Sequence, residues 1–345
     1  MTEAEISPAS WEYRLVAAVV FAVDQRVGGT AAAPRTRWTG LLLEETDPNF
    51  LGTADDDGSM SVSVVNVLEP LRKARDLDRP LTAGEALELR DAIGTLAHEA
   101  AHLLTELGDE TAPEAYPYDS AAEADNEGRT EYWTYANLDT IIRDVFPDAG
   151  LEHVQAAVLS QTSIDAYPAY TSAVRDLDQA LAERSELTLE QVTHTLMLAD
   201  DAERWNVAAD LVIDARLAKP GLMPEADRAD VRRQLVAPLR AAFSGLEAVE
   251  SDDSLGVEQN TAAATEAAQQ AIAGLDAAIN RVERKYRIDN AQRARLLAVT
   301  NGQAPAAGAT GRRPSVDRGQ AGPRDGSRGR QGPGRPSGPR APGGG

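Results

Sequence analysis

From Thr82 to Thr300 the apolar residues recur three and four positions apart almost without interruption, a period that amphipathic helices satisfy and strands do not. The pattern predicts helices over 83–107, 120–145, 150–161, 168–184, 188–198, 202–218, 224–247 and 258–300. Before Thr82 the signals are mixed. Ser10 is placed to cap a helix from Trp11 to Arg26, which Gly28 and Gly29 would stop. Trp38–Glu44 reads as a short strand, and after the turn Asp55-Asp56-Asp57-Gly58 the residues Ser59–Val64 alternate small polar with apolar. The expected fold class is therefore α+β, strongly helix-dominated.

Composition narrows the function. The 345 residues suggest two folded domains, read as 1–147 and an all-helical 148–300. With no cysteine there is no disulfide framework, thiolate metal site or cysteine nucleophile, so a catalytic metal would be held by histidine and carboxylate. The apolar run Leu15–Val23 is too short to span a bilayer, and Glu3, Glu5 and Glu12 before it are the wrong flank for a secretion signal. The expectation is a cytoplasmic protein without a membrane partner. A net charge of −21 argues against nucleic acid as the main ligand. The exception is the Arg/Gly/Pro-rich tail over 301–345, which has too few large apolar side chains to order itself and is expected to be disordered. Its eight arginines against Asp317 and Asp325 make it +6, leaving −27 on the body, so any weak contact with nucleic acid would run through the tail. In the last helix Ala268, Ile272, Leu275, Ile279, Val282 and Tyr286 form a narrow seam, read as packing back onto its own domain.

The chemistry concentrates in Leu96-Ala97-His98-Glu99-Ala100-Ala101-His102-Leu103-Leu104. On a helix, His98 and His102 lie one turn apart on one face and can aim ring nitrogens at one metal, with Glu99 beside it. Leu89, Ile93, Leu96, Ala100, Leu103 and Leu107 would bury the opposite face. A hydrolytic zinc site needs a third protein ligand and one open position. Thr105 and Gly108 stand where a third histidine of the longer zincin motif would require Gly and His, so a carboxylate is the better candidate. Downstream, Ser120 to Glu123 reads as a capping box, and Glu123, Glu127 and Glu131 fall on one helical stripe whose mutual repulsion a divalent cation would relieve.

The pair of motifs, His98-Glu99-Ala100-Ala101-His102 and, 24 residues after it, Asn126-Glu127-Gly128-Arg129-Thr130-Glu131, resembles the gluzincin metallopeptidases over about residues 85–145. The resemblance implies a zincin-like catalytic domain with a small sheet, zinc as cofactor, His98, His102 and Glu127 as metal ligands, and Glu99 as catalytic general base. It implies that Glu131 supports a zinc histidine from behind, with Glu131 as the ligand left as the alternative. It also implies a polypeptide substrate bound along an exposed edge strand; the alternating stretch at 60–67 reads either as that strand or as one more half-buried strand in a small sheet. An oxyanion donor would come from Tyr132, Tyr135, His153, Tyr167, Tyr170 or His194, among which spacing does not choose. The expected function is zinc-dependent peptide hydrolysis; the alternative is a non-catalytic scaffold with a structural metal site and a basic interaction tail.

Overall fold

The computed structural model describes residues 4–163, 165–252 and 254–301, so the tail expected to be disordered lies, from residue 302 on, outside the described residues. A two-residue strand β1 (Ala4–Glu5) leads into α1 (Trp11–Arg26), where the Ser10 side chain accepts from the Tyr13 N–H at 3.1 Å as the cap. Strands β2 (Leu42–Glu45), β3 (Gly52–Ala54) and β4 (Met60–Ser63) complete a four-stranded mixed sheet in the order β1-β2-β4-β3. Only β2 and β4 run parallel. The strand expected from Trp38 begins at Leu42 instead, because Gly40 breaks the extended run at φ 85°.

Of the two readings of the alternating segment, the one found is the further strand of a small sheet, buried more fully than half. The alternating segment is not an exposed edge: β4 lies between β2 and β3 and all four of its residues are buried. Beyond Ser63 the chain turns away, with the Ser63 hydroxyl accepting from the Asn66 N–H at 3.1 Å to cap a π-helical turn, Val64–Leu68, that runs into α2 (Glu69–Asp76). The edges are the two-residue β1 and the three-residue β3, and β3 is the one that lies against α3.

The long helical part begins with α3 (Ala83–His102), opened by a reciprocal capping box between Thr82 and Glu85. It stops at its second histidine, five residues before the expected end at 107. The reason is Arg37, whose N–H donates to Leu103 O at 2.7 Å and whose guanidinium donates to Thr105 O, so those carbonyls are satisfied without another helical turn. Next comes α4 (Ser120–Ala149), capped by Asp119, not Ser120: the Asp119 carboxylate accepts from the Ala121 and Ala122 N–H groups at 3.1 and 3.2 Å. The chain continues through α5 (Glu152–Leu159), α6 (Pro168–Ser185), α7 (Leu189–Met197), α8 (Asp201–Ile213), α9 (Arg228–Phe243), α10 (Leu246–Glu250) and α11 (Val257–Thr300). The helix expected over 224–247 is broken at Ser244-Gly245.

Up to Ala294 the chain forms one compact unit with two clusters of buried side chains. The first gathers α1, the sheet, α3, α5 and the second half of α4; the second gathers the start of α4 with α6, α8, α9 and α11. Helix α4 serves both, with Ala121 and Ala124 in one cluster and Trp133, Leu138 and Ile142 in the other. The seam on α11 packs into the second cluster through Leu275, Ile279, Val282 and Tyr286, and Ala268 is buried as well. Among the described residues no helix is long and apolar enough to cross a membrane.

Candidate metal centre

The last turn of α3 meets the middle of α4, and the two histidines face each other there. Their Nε2 atoms are 3.0 Å apart. The Glu127 carboxylate lies 3.2 Å from His98 Nε2 through Oε2 and 3.6 Å from His102 Nε2 through Oε1. Two donors about 2.0–2.1 Å from a tetrahedral ion stand about 3.3 Å apart, so these three side chains already hold the spacing of a metal-ligand set. Among the described residues they are the histidine and carboxylate group that could hold a metal ion.

The protonation pattern points the same way. His98 Nδ1 lies 2.8 Å from Glu131 Oε2, and an ionised carboxylate only accepts, so Nδ1 carries the hydrogen. The neutral ring then presents a lone pair on Nε2, aimed at the other histidine and at Glu127. Something positive has to sit between them. Without a metal the ring itself supplies the charge: burial opposes it, but hydrogen bonds to Glu127 and Glu131 prevail and push His98 up to about 10. Burial would raise Glu127 as well, yet His102 and His98 hold it well below the usual carboxylate range. The donor set therefore fits a cation.

Glu127 and Glu131 are separated by their partners. Glu127 faces the ring nitrogens that converge, whereas Glu131 backs one ring from behind and with its other oxygen accepts from the Ala166 N–H at 2.9 Å. The first carboxylate of the stripe, Glu123, does not join the group.

Glu99 projects beside the histidines and is only 8% exposed. Burial raises its pKa against the pull of His98 and His102, and its carboxylate accepts a hydrogen bond from the Ala54 backbone. Strand β3 lies directly on it: a Cβ at Gly52 would come within 2.8 Å of Glu99 Cγ. Opposite stands Tyr167, whose ring centroid is 6.0 Å from that of His98 at 28° between planes, with its hydroxyl on Glu127. Burial and the surrounding carboxylates push that hydroxyl above its ordinary pKa.

Two clefts open from this point. One, of about 870 Å³, is bounded by Leu51, Val65, Asp91, Thr95 and Tyr135; the other, of about 430 Å³, by Arg37, Thr53, His102, Asn126 and Tyr118. Both are lined by Gly52, His98, Glu99 and Tyr167. Of the six donors considered from sequence, Tyr167 and Tyr135 reach a cleft wall, Tyr170 is buried in a stack against Tyr167 at 5.8 Å, and Tyr132, His153 and His194 line neither cleft. Sequence reading missed Gly52, Ala166 and Arg204. Arg204 donates to Asn126 Oδ1 at 3.1 Å, steadying an amide 3.5 Å from His102 Nδ1. None of these three carries a spacing signal, since each reaches the site through a tertiary contact.

Comparison with family models, curated proteins and solved structures finds no match for this chain.

Proposed function

We propose that this chain is a zinc-dependent peptidase of the gluzincin kind, with His98, His102 and Glu127 as ligands and Glu99 as general base. The observation that carries the reading is the position of Glu99: a buried carboxylate, not needed to hold the ion, at the wall shared by two clefts. A structural zinc site closes its fourth position with a protein ligand and has no use for such a group. Two imidazoles and a carboxylate are also a donor set that suits zinc and leaves a position open. The ion, when bound, supplies Lewis acidity, making a water acidic near neutral pH and a carbonyl electrophilic.

The protein's residues do the rest. Glu99, its pKa raised by burial, takes the proton of the attacking water and returns it to the leaving amine. Glu131 keeps His98 Nε2 free of hydrogen by accepting from Nδ1. The Tyr167 hydroxyl, which lines both clefts and rests on Glu127, turns from that carboxylate to serve as the donor for the developing oxyanion. The free edge of β3, resting on Glu99, offers backbone groups to a polypeptide in place of β4.

The test is metal content by elemental mass spectrometry beside hydrolysis of an unfolded protein substrate, on wild type, Glu99→Gln, Glu127→Ala and Tyr167→Phe. About one zinc per chain is expected in wild type, Glu99→Gln and Tyr167→Phe, as the single site requires. Glu127→Ala should bind little. Glu99→Gln should lose turnover by about 10²–10⁴-fold and Tyr167→Phe by about 10²–10³-fold. A wild type that stays metal-free after reconstitution, or a Glu99→Gln variant with full turnover, would sink the reading.

A further inference from the structure

Building on the peptidase reading, we infer that the site acts inside polypeptides, as an endopeptidase, on a substrate lying extended across both clefts with the scissile bond over Glu99. Three independent features lead there.

The first is space. An enzyme that trims chain ends must wall off one side of the reacting centre. Here the residues that carry the chemistry, His98 and Glu99 with Gly52 and Tyr167, form a waist between cavities of about 870 and 430 Å³. At about 3.4 Å per extended residue, each side has room for substrate beyond the bond.

The second is the edge strand. Leu51 O accepts from the Ser63 N–H at 2.9 Å and the Asp55 N–H donates to Ser59 O at 3.0 Å, so the odd-numbered residues of this stretch direct their backbone groups to β4. Gly52 and Ala54 therefore face outward. The Ala54 N–H is taken by Glu99, which leaves the Gly52 pair and the Ala54 carbonyl for a chain passing along the waist. Such pairing grips the middle of a chain and ignores its ends.

The third is charge. Recognition of a free amino terminus needs an uncommitted carboxylate within about one residue of the reacting bond, roughly 3.4 Å. Of the other carboxylates lining the clefts, Asp91 lies seven residues before His98 on α3, about 10 Å along the axis, Glu88 lies almost a turn farther, Asp201 is paired with Arg204 at 2.5 Å, and Glu69, Asp56 and Glu106 are exposed to solvent. Recognition of a free carboxyl terminus needs an open cation. Arg37, the arginine of the smaller cleft, donates instead to Thr105 O and Asp56 O, and Lys73 in the larger one is paired with Glu85 at 3.1 Å.

The reaction balances as hydrolysis. Water adds across an internal peptide bond, the C–N bond breaks as a C–O bond forms, and the new amine leaves with the proton that Glu99 carried.

The deciding experiment uses the zinc-loaded full chain and one pool of peptides about ten residues long, prepared with free ends and again N-acetylated and C-amidated, with products read by mass spectrometry. Internal cleavage of both sets at comparable rates is expected, and trimming the peptide to one residue on either side of the bond should lower kcat/KM by at least about tenfold. Stepwise loss of single residues from free peptides, with blocked ones untouched, would overturn endopeptidase action and leave the peptidase reading standing. No hydrolysis of either set would remove the peptidase reading and this inference with it.

Discussion

Glu131 uses its two oxygens for two different donors, the Nδ1–H of His98 at 2.8 Å and the N–H of Ala166 at 2.9 Å. A carboxylate can accept both; an amide cannot. Glu131→Gln keeps the shape but turns an NH2 group toward one of the two donors. The expected outcome is a 10–100-fold loss of zinc affinity, about the usual cost of disturbing the group behind a metal histidine, measured by chelator competition. An unchanged affinity would mean that His98 is oriented by its packing alone. This residue also marks how far the sequence could be read. Glu127 and Glu131 fall on the same helical stripe, so periodicity could nominate both and choose neither. The choice depends on the level at which α4 crosses α3, which no local spacing encodes. His98, Glu99 and His102 were legible because a single helical turn brings them together.

Among the elements, the one that most constrains the site is the shortest strand of those around it. β3 has no alternation to betray it, being Gly-Thr-Ala, whereas the better-patterned β4 turned out to be the covered interior strand. The missing side chain in β3 follows from its packing: a Cβ at Gly52 would meet Glu99 Cγ at 2.8 Å and Oε1 at 3.0 Å. The side chain that would have marked the strand is the one the Glu99 carboxylate forbids. Gly52→Ala should therefore displace Glu99 or lift the strand, lowering turnover by about 10²-fold while zinc content stays the same. Parallel assays of hydrolysis and bound zinc check this, and an alanine variant of full activity would show that β3 can shift without cost. Gly128 plays the same part between α4 and α6, where a Cβ would lie 2.6 Å from the Tyr170 backbone. In the sequence that glycine stands only as part of a motif, and its packing role depends on the partner helix, α6.

At the scale of the whole molecule, α4 joins the two buried clusters, and the charged residues it carries into that junction are not the solvated face their sequence suggests. Arg129 is buried between Asp125 at 2.7 Å and Asp178 at 2.8 Å, and Arg204 from α8 reaches Asp125 at 3.6 Å. Nothing local distinguishes Arg129 from a surface arginine, because its partner Asp178 is 49 residues away. Buried ion pairs of this kind are costly to break, by about 3–5 kcal/mol when one partner is removed. They hold α4 in one register against α6, and that register sets where Glu127 stands relative to the α3 histidines. Metal binding should therefore report on the integrity of the junction. In wild type, free zinc at about 100 times Kd should add roughly 2.7 kcal/mol to the unfolding free energy, since the ion binds the folded chain and the unfolded one lacks the site. Asp178→Asn should lose stability by the amount above and, if the register slips, show a smaller zinc increment because its Kd has risen. Glu127→Ala should show no increment and should also lose metal-free stability, because it removes the carboxylate that pairs with His98. Urea unfolding with and without zinc separates the three, and an undiminished increment in Asp178→Asn would mean that the α3–α4 contact alone fixes the ligands.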